Sequence, residues 1–304
     1  MMNNNDIGIR LKKTKNLYSK FFTFAICILI LCLACSVSFA AKAKTKKRIY
    51  RPRMRIAVSN SFLYDVANFI IKPEIFSVRN IGNGTPGGSD IFITMTSNQK
   101  RFASRSKSLT YFATTVDYDG SPCEYDYYDS SKIPYIILNT MKAISAHDKN
   151  NYLHYQKRLA IYQSILDSTL QVGEKLLKNI TLLDLTGHTG YILSSCAKRC
   201  VKPPKEVVPA WKNGDIEHLQ ATIKQANLRN MLIVTDFATD PIIVENVKKL
   251  ATKHFHMTGY EGGSFSSYLA ENFGVLRDLL AKQTEMEKVN GSSKTKQQKT
   301  YKRR

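Results

Sequence analysis

The sequence predicts an α/β protein of two lobes, each a parallel-type sheet with covering helices, joined by one long backbone helix. Three observations predict it. Short apolar runs alternate with segments of helical period along most of the chain, the pattern of parallel sheets covered by helices. One apolar stripe outlasts all the others: Tyr152, Tyr155, Leu159, Tyr162, Leu166, Leu170, Gly173 and Leu177 recur three or four residues apart. The strand–helix alternation occurs on both sides of that stripe. A helix of this span is about 40 Å long at 1.5 Å per residue, which suits a connection between two lobes better than the core of one.

Taken in order, Ile56-Ala57-Val58 is an apolar run closed by Ser59-Asn60 and reads as a first buried strand. Phe62 to Ile71 is apolar at helical spacing. Ile75 to Val78 follows Pro73 as a second strand, and Gly82 to Gly88 is a turn-rich loop. Leu109 to Val116 reads as a strand, Asp117 to Asp129 as an acidic loop rich in tyrosine, and Tyr135 to Ala146 as a helix. Beyond the long stripe, Ile180 to Leu185 and Met231 to Val234 are strands, with helices from Tyr191 to Cys196 and from Ile216 to Ala226. Pro241 opens a helix reaching Thr252, where its missing N–H costs nothing. A strand from Phe255 to Tyr260 and a helix from Tyr268 to Leu280 close the fold. The resulting division is 1–40 leader, 41–54 basic arm, 55–147 first lobe, 148–179 linking helix, 180–281 second lobe and 282–304 basic tail.

The leader carries the three parts of a secretory signal: a basic stretch from Arg10 to Lys20, an apolar run from Phe21 to Ala40, and the small residues of Ser38-Phe39-Ala40. Export to the periplasm follows if it is cleaved. The run is also long enough to span a bilayer, so an anchor through residues 21–40 is the alternative. Lipidation at Cys35 is a third reading, against which Cys32 stands where a lipobox has leucine. The 304 residues carry a net charge of +21. Cleavage removes five of the 45 basic and one of the 24 acidic residues, leaving +17. Much of that lies in the two end segments, which read as solvated arms suited to an anionic membrane surface. Nucleic acid is not the expected partner of an exported protein. Outside the leader the cysteines are Cys123, Cys196 and Cys200. Cys196 and Cys200 could pair, although four-residue spacing within one helix is poor disulfide geometry; small buried thiols are the other reading.

The order of these elements resembles the periplasmic solute-binding proteins of zinc and manganese ABC importers. The likeness covers residues 55–281. It is clearest from Gly214 to Leu280, where Asp215-Ile216-Glu217-His218-Leu219 opens a helix, Asn230 to Asp236 supplies a strand, and Tyr268-Leu269 with Asn272 lie on the closing helix. His147-Asp148-Lys149-Asn150-Asn151-Tyr152 is similar to the family's entry into its long helix. The resemblance implies a divalent cargo held between lobes by three histidines and one carboxylate, delivered to a membrane permease. Here the pattern breaks. Gly88-Ser89-Asp90-Ile91-Phe92 puts Phe92 in the place of the first histidine. By residue count Glu124, or its neighbour Asp126, falls at the second ligand. His188, in Gly187-His188-Thr189-Gly190-Tyr191, matches the third, and Glu261 lies within a residue or two of the fourth. Glu124, His188 and Glu261 are therefore the candidate metal ligands. One imidazole and two carboxylates favour manganese or iron(II) over zinc relative to a histidine-rich site. The opposing expectation is a cleft without metal, its fold kept as a scaffold for an envelope protein partner.

His254 and His256, two apart in a strand, face one side and read as a surface or partly buried pair rather than a metal clip. His218 reads as solvated. No nucleophile elbow, phosphate loop or paired-histidine zinc helix occurs in the sequence, so an enzyme is not expected.

Overall fold

The protein is described by a computed structural model covering residues 54–82, 84–95, 108–114 and 124–301, with side chains as far as Glu285. The leader, nearly all of the first arm, Cys123 and the acidic loop up to Cys123 lie outside the described residues.

The first sheet holds β1 (Met54–Val58), β2 (Phe76–Asn80), β3 (Ile91–Thr94) and β4 (Leu109–Phe112) in the order β2-β1-β3-β4, with every pairing parallel. β1 and β3 are central and apolar, as strands covered on both faces must be. Between β1 and β2 runs α1 (Ser61–Ile70), which Asn60 caps by accepting the Leu63 N–H at 2.9 Å. It buries Phe62, Leu63, Val66, Ala67 and Ile70 on one face. α2 (Ile133–Ala146) follows, with a proline in its first turn.

α3 (Tyr152–Leu177) is the 26-residue linking helix. Tyr155, Leu159, Tyr162, Leu166, Gly173 and Leu177 of the predicted stripe are buried, whereas Tyr152 is 43 % exposed. Gly173 is where the closing helix crosses: a Cβ there would lie 2.5 Å from Cζ of Phe273.

The second sheet repeats the first. β5 (Thr181–Asp184), β6 (Arg199–Val201), β7 (Leu232–Asp236) and β8 (His254–Met257) lie in the order β6-β5-β7-β8, again all parallel. Its connections are α4 (Gly190–Cys196), α5 (Val207–Lys212), α6 (Ile216–Leu228) and α7 (Pro241–Leu250). Asp215 and Asp240 cap α6 and α7 through their side chains. α8 (Phe265–Tyr301) closes the fold and packs on α3.

One apolar core runs through both lobes. It joins Ile56, Ile91 and Phe62 of the first to Leu182, Val234 and Met257 of the second by way of Tyr155, Tyr162 and Leu177 on α3. A second, smaller core around Trp211, Leu219, Ile223, Ile233 and Val247 lies under α6 and α7.

The structure adds β3, β6 and α5 to the elements read from sequence. It ends the strand read from Leu109 to Val116 at Phe112, and that read from Phe255 to Tyr260 at Met257. The helical backbone of α8 begins at Phe265 and continues to Tyr301, through the segment read as a basic tail. Among the described residues no helix is long and apolar enough to cross a membrane.

Candidate functional site

In open parallel sheets, ligands bind outside the carboxyl ends of the strands, where neighbouring connections leave in opposite directions. In the second sheet that point lies between β5 and β7. The loop after β5 carries His188, and the loop after β7 carries Phe237.

The β5–α4 loop is held by two buried carboxylates. Asp236, at the end of β7, accepts the backbone N–H groups of Gly187 (2.9 Å), His188 (2.8 Å) and Thr189 (2.9 Å), with the Thr239 hydroxyl at 2.9 Å. Burial by itself would raise its pKa. The backbone N–H donors outweigh it, and the net shift is downward, so this carboxyl stays ionised. Asp184, at the end of β5, accepts the Thr186 N–H and hydroxyl at 3.0 and 2.6 Å and pairs with Lys202 at 3.1 Å. Gly190 is required beside it, since a Cβ there would stand 2.1 Å from Oδ2 of Asp184. The backbone that presents His188 is thus fixed from both sides.

From the first lobe, the ring of Tyr125 stacks on His188, with centroids 4.0 Å apart and planes 22° from parallel. Phe237, 41 % exposed, lies 6.1 Å from Tyr125 and 5.9 Å from His188. Burial lowers the pKa of His188, against the opposing pull of Asp236, so the ring is neutral at neutral pH. The imidazole face is covered by Tyr125. Its nitrogen lone pair lies in the ring plane and is not consumed by the stack.

Of the predicted ligands, only His188 is placed in this constellation of rings. Glu124 is exposed, one residue before Tyr125. Glu261 is exposed in the loop between β8 and α8, where its carbonyl accepts from the Ser61 hydroxyl at 3.2 Å. Among the described residues no three His, Cys, Asp or Glu side chains are grouped to hold a metal ion. The described donors by themselves do not make a closed four-ligand centre.

Sequence reasoning missed the aromatic character of this face. Tyr127 and Tyr128, read as part of the acidic, tyrosine-rich loop, are buried core residues. Tyr128 Oη accepts the Tyr260 N–H at 2.9 Å. Phe62 stacks on Tyr127 at 5.1 Å and meets Phe265 edge-on at 4.9 Å. Asp126, the neighbour choice for the second ligand, is buried and paired with Lys132 at 2.9 Å. The density of tyrosine from Tyr125 to Tyr128 was the available signal.

Phe92 is not a lapsed ligand. It sits inside β3, in register with Ala57 and Thr110, and is 1 % exposed. His254 and His256 face one side, as read. Their Nε2 and Nδ1 atoms lie 2.7 and 2.9 Å from Oγ1 of Thr235. Cys196 and Cys200 are free thiols on α4 and β6, and burial pushes both up to about 11.

No protein-family signature matches the chain, and no curated protein is detectably similar in sequence. Solved structures are similar in fold. The laminin-binding protein Lbp of Streptococcus pyogenes shares 15 % identity over 75 % of this chain and 99 % of its own, with a TM-score of 0.55. The Zn(II)-bound ZnuA-like domain of Streptococcus pneumoniae AdcA shares 12 % over 75 % and 98 %, with a TM-score of 0.52. A mutant Mn-bound periplasmic metal binding protein from Candidatus Liberibacter asiaticus shares 10 % over 74 % and 99 %, with a TM-score of 0.56. The chain has the two-lobed fold of these binding proteins, in agreement with the resemblance read from its sequence.

Proposed function

We propose that this chain is an exported, periplasmic binding protein of the solute-binding fold, with no catalytic role, whose interlobe site has been rebuilt from metal ligation to aromatic contact. One observation carries the reading: the Tyr125 ring of the first lobe lies on the one imidazole of the site, His188, with Phe237 beside them. Such a site serves a scaffold or interaction role in the envelope. Among the described residues it gathers no three metal-donor side chains. Metal content after purification without chelator, followed by calorimetric titration with zinc and manganese, tests this. The expected result is no stoichiometric metal and no saturable 1:1 heat. A tight 1:1 site lost in His188→Ala would overturn it.

A second reading is favoured by the neutral state of His188, which leaves a lone pair for a divalent ion. In it the chain captures manganese, zinc or iron(II) through His188, with Glu124 and Glu261, and delivers the ion to an ABC permease. The same titration decides between the two.

A further inference from the structure

Basic side chains gather at one pole of the second lobe. The amide of Lys198 donates to the carbonyl of Leu177 at 3.2 Å, so the turn before β6 rests on the carboxyl end of α3. Lys175, Lys178, Lys198 and Arg199 are all exposed there. α8 reaches the same end. Its Phe265 amide and the Tyr162 hydroxyl of α3 share one oxygen of Asp65, and further along Phe273 lies against Gly173. The two helices therefore advance side by side in one direction. α3 stops at Leu177, whereas the helical backbone of α8 goes on to Tyr301. Residues 288–304 hold seven Lys or Arg and no Asp or Glu.

Carboxylates do not offset this pole. On these segments the described acidic residues are Glu174, Asp278 and Glu285, and Asp278 pairs with Arg277 at 3.1 Å. Glu287 is the last acidic residue of the chain. Lys175 and Lys178 have an ordinary role, since cations favour the carboxyl end of a helix. That role does not extend to Lys198 and Arg199 on the neighbouring turn. Nor does it extend to the last stretch of α8, where Val289 and Tyr301 are the only apolar or aromatic residues from Lys288 onward. A helix polar all round gains nothing from a core, and Lys296 and Lys299, three apart, repel one another. A surface of opposite charge removes that repulsion.

The pole also has a defined side. Lys178 precedes β5 and Arg199 opens β6, so the basic groups lie at the amino ends of these strands. His188 and Phe237 follow the carboxyl ends of β5 and β7. The Ser61 hydroxyl, after β1, meets the Glu261 carbonyl, after β8, at 3.2 Å, so the carboxyl ends of the two sheets face each other. The aromatic site and the basic pole are thus on opposite sides of the second sheet.

We propose that this pole is a docking surface for anionic lipid headgroups, on which the second lobe stands end-on with its aromatic site held off the bilayer. Each Lys or Arg near such a surface contributes about 1 kcal/mol, fading within a Debye length of about 8 Å. Without an apolar face the end of α8 lies on the headgroups by charge alone and does not insert. The site remains open to solvent and to envelope partners. Such docking presupposes export and holds for either reading of the site.

Co-sedimentation of the chain as recovered from cells tests this. Vesicles of equal parts phosphatidylglycerol and phosphatidylcholine are compared with phosphatidylcholine alone. Binding should be stronger to the anionic vesicles and should fall about tenfold between about 0.01 and 0.1 M salt. One variant replaces Lys175, Lys178, Lys198 and Arg199 by Gln, and another replaces Lys288, Lys294, Lys296 and Lys299 by Gln. Each should weaken binding roughly tenfold or more. On anionic vesicles the amide exchange of residues 286–301 should slow, while that of residues 186–190 stays unchanged. No gain on adding phosphatidylglycerol overturns the proposal, as does tighter binding to a DNA duplex than to the anionic vesicles. So does a loss confined to a variant of the first arm with Lys42, Lys44, Lys46 and Lys47 replaced by Gln. Slowed exchange at residues 186–190 would put the site against the bilayer and overturn the end-on stance. If a variant fails to fold, the exchange pattern of the natural protein decides alone.

Discussion

Phe92 lies between Ala57 and Thr110 in the interior of its sheet, so what it contributes is packing. Phe92→His would bury an imidazole among apolar neighbours and should cost roughly 2–4 kcal/mol in lost contacts and desolvation. The midpoint of thermal unfolding should fall by roughly 5–10 °C, with no metal affinity gained; an unchanged midpoint would return Phe92 to the cleft. Buried histidines contribute to acid sensitivity between pH 7 and pH 5. Burial lowers the pKa of His254 to about 4, and those of His256 and His188 also fall. The unfolded chain then binds more protons than the native one between those lowered values and about 6.5, so stability rises with pH across that window. Melting temperatures should drop steadily from pH 7 to pH 5, and His254→Gln should flatten the slope; equal slopes in both proteins would refute this origin. His188 was legible in the sequence because glycines and an aromatic frame it locally. Tyr125 was not, because placement by residue count chose its neighbour Glu124, and the stack forms with a residue 63 positions away that no local pattern reveals.

The long helix α3 was legible because a stripe of 3.6-residue period repeats over seven turns. β3 was not. Its four residues, Ile91 to Thr94, are buried on both faces and carry no periodicity. Their turn-rich approach also invited comparison with a ligand motif. The short pieces β6 and α5 escaped for the same reason, being only three and six residues long. Where α3 meets α8, Gly173 faces the edge of the Phe273 ring. Gly173→Ala should therefore destabilise despite alanine's better helix propensity, since overpacking costs about 1–3 kcal/mol against a propensity gain of about 1 kcal/mol. Phe273→Leu in the same background should restore part of the loss. A Gly173→Ala protein more stable than the natural one would show that the helices spread freely. At the β5–α4 loop, Asp236→Asn keeps one acceptor oxygen where several N–H groups converge, and the unpaired donors should cost about 2–4 kcal/mol. Tyrosine–histidine ring-current shifts in the proton spectrum should weaken with it. Their persistence would mean that the loop holds its shape unaided.

The alternation of strands and helices made the two lobes readable from sequence, while the continuity of the core between them was invisible there. Ile56 and Met257 belong to one apolar cluster although they lie at opposite ends of the folded region. A single cooperative unfolding transition is expected, with calorimetric and van't Hoff enthalpies equal; two resolved transitions would mean that the lobes are independent. The bond between Asp65 and the Phe265 amide spans 200 residues of chain, and this has a consequence in time. A growing chain adds about 5–20 residues per second. Once Asp65 has been made, its partner follows after roughly 10–40 seconds at that pace. Throughout that interval Phe62 and Tyr127 have no Phe265 to cover them, and the first half of the chain waits, sticky and unfinished, for its last helix. Folding of the first half to completion is thus expected to wait on the synthesis of the last helix.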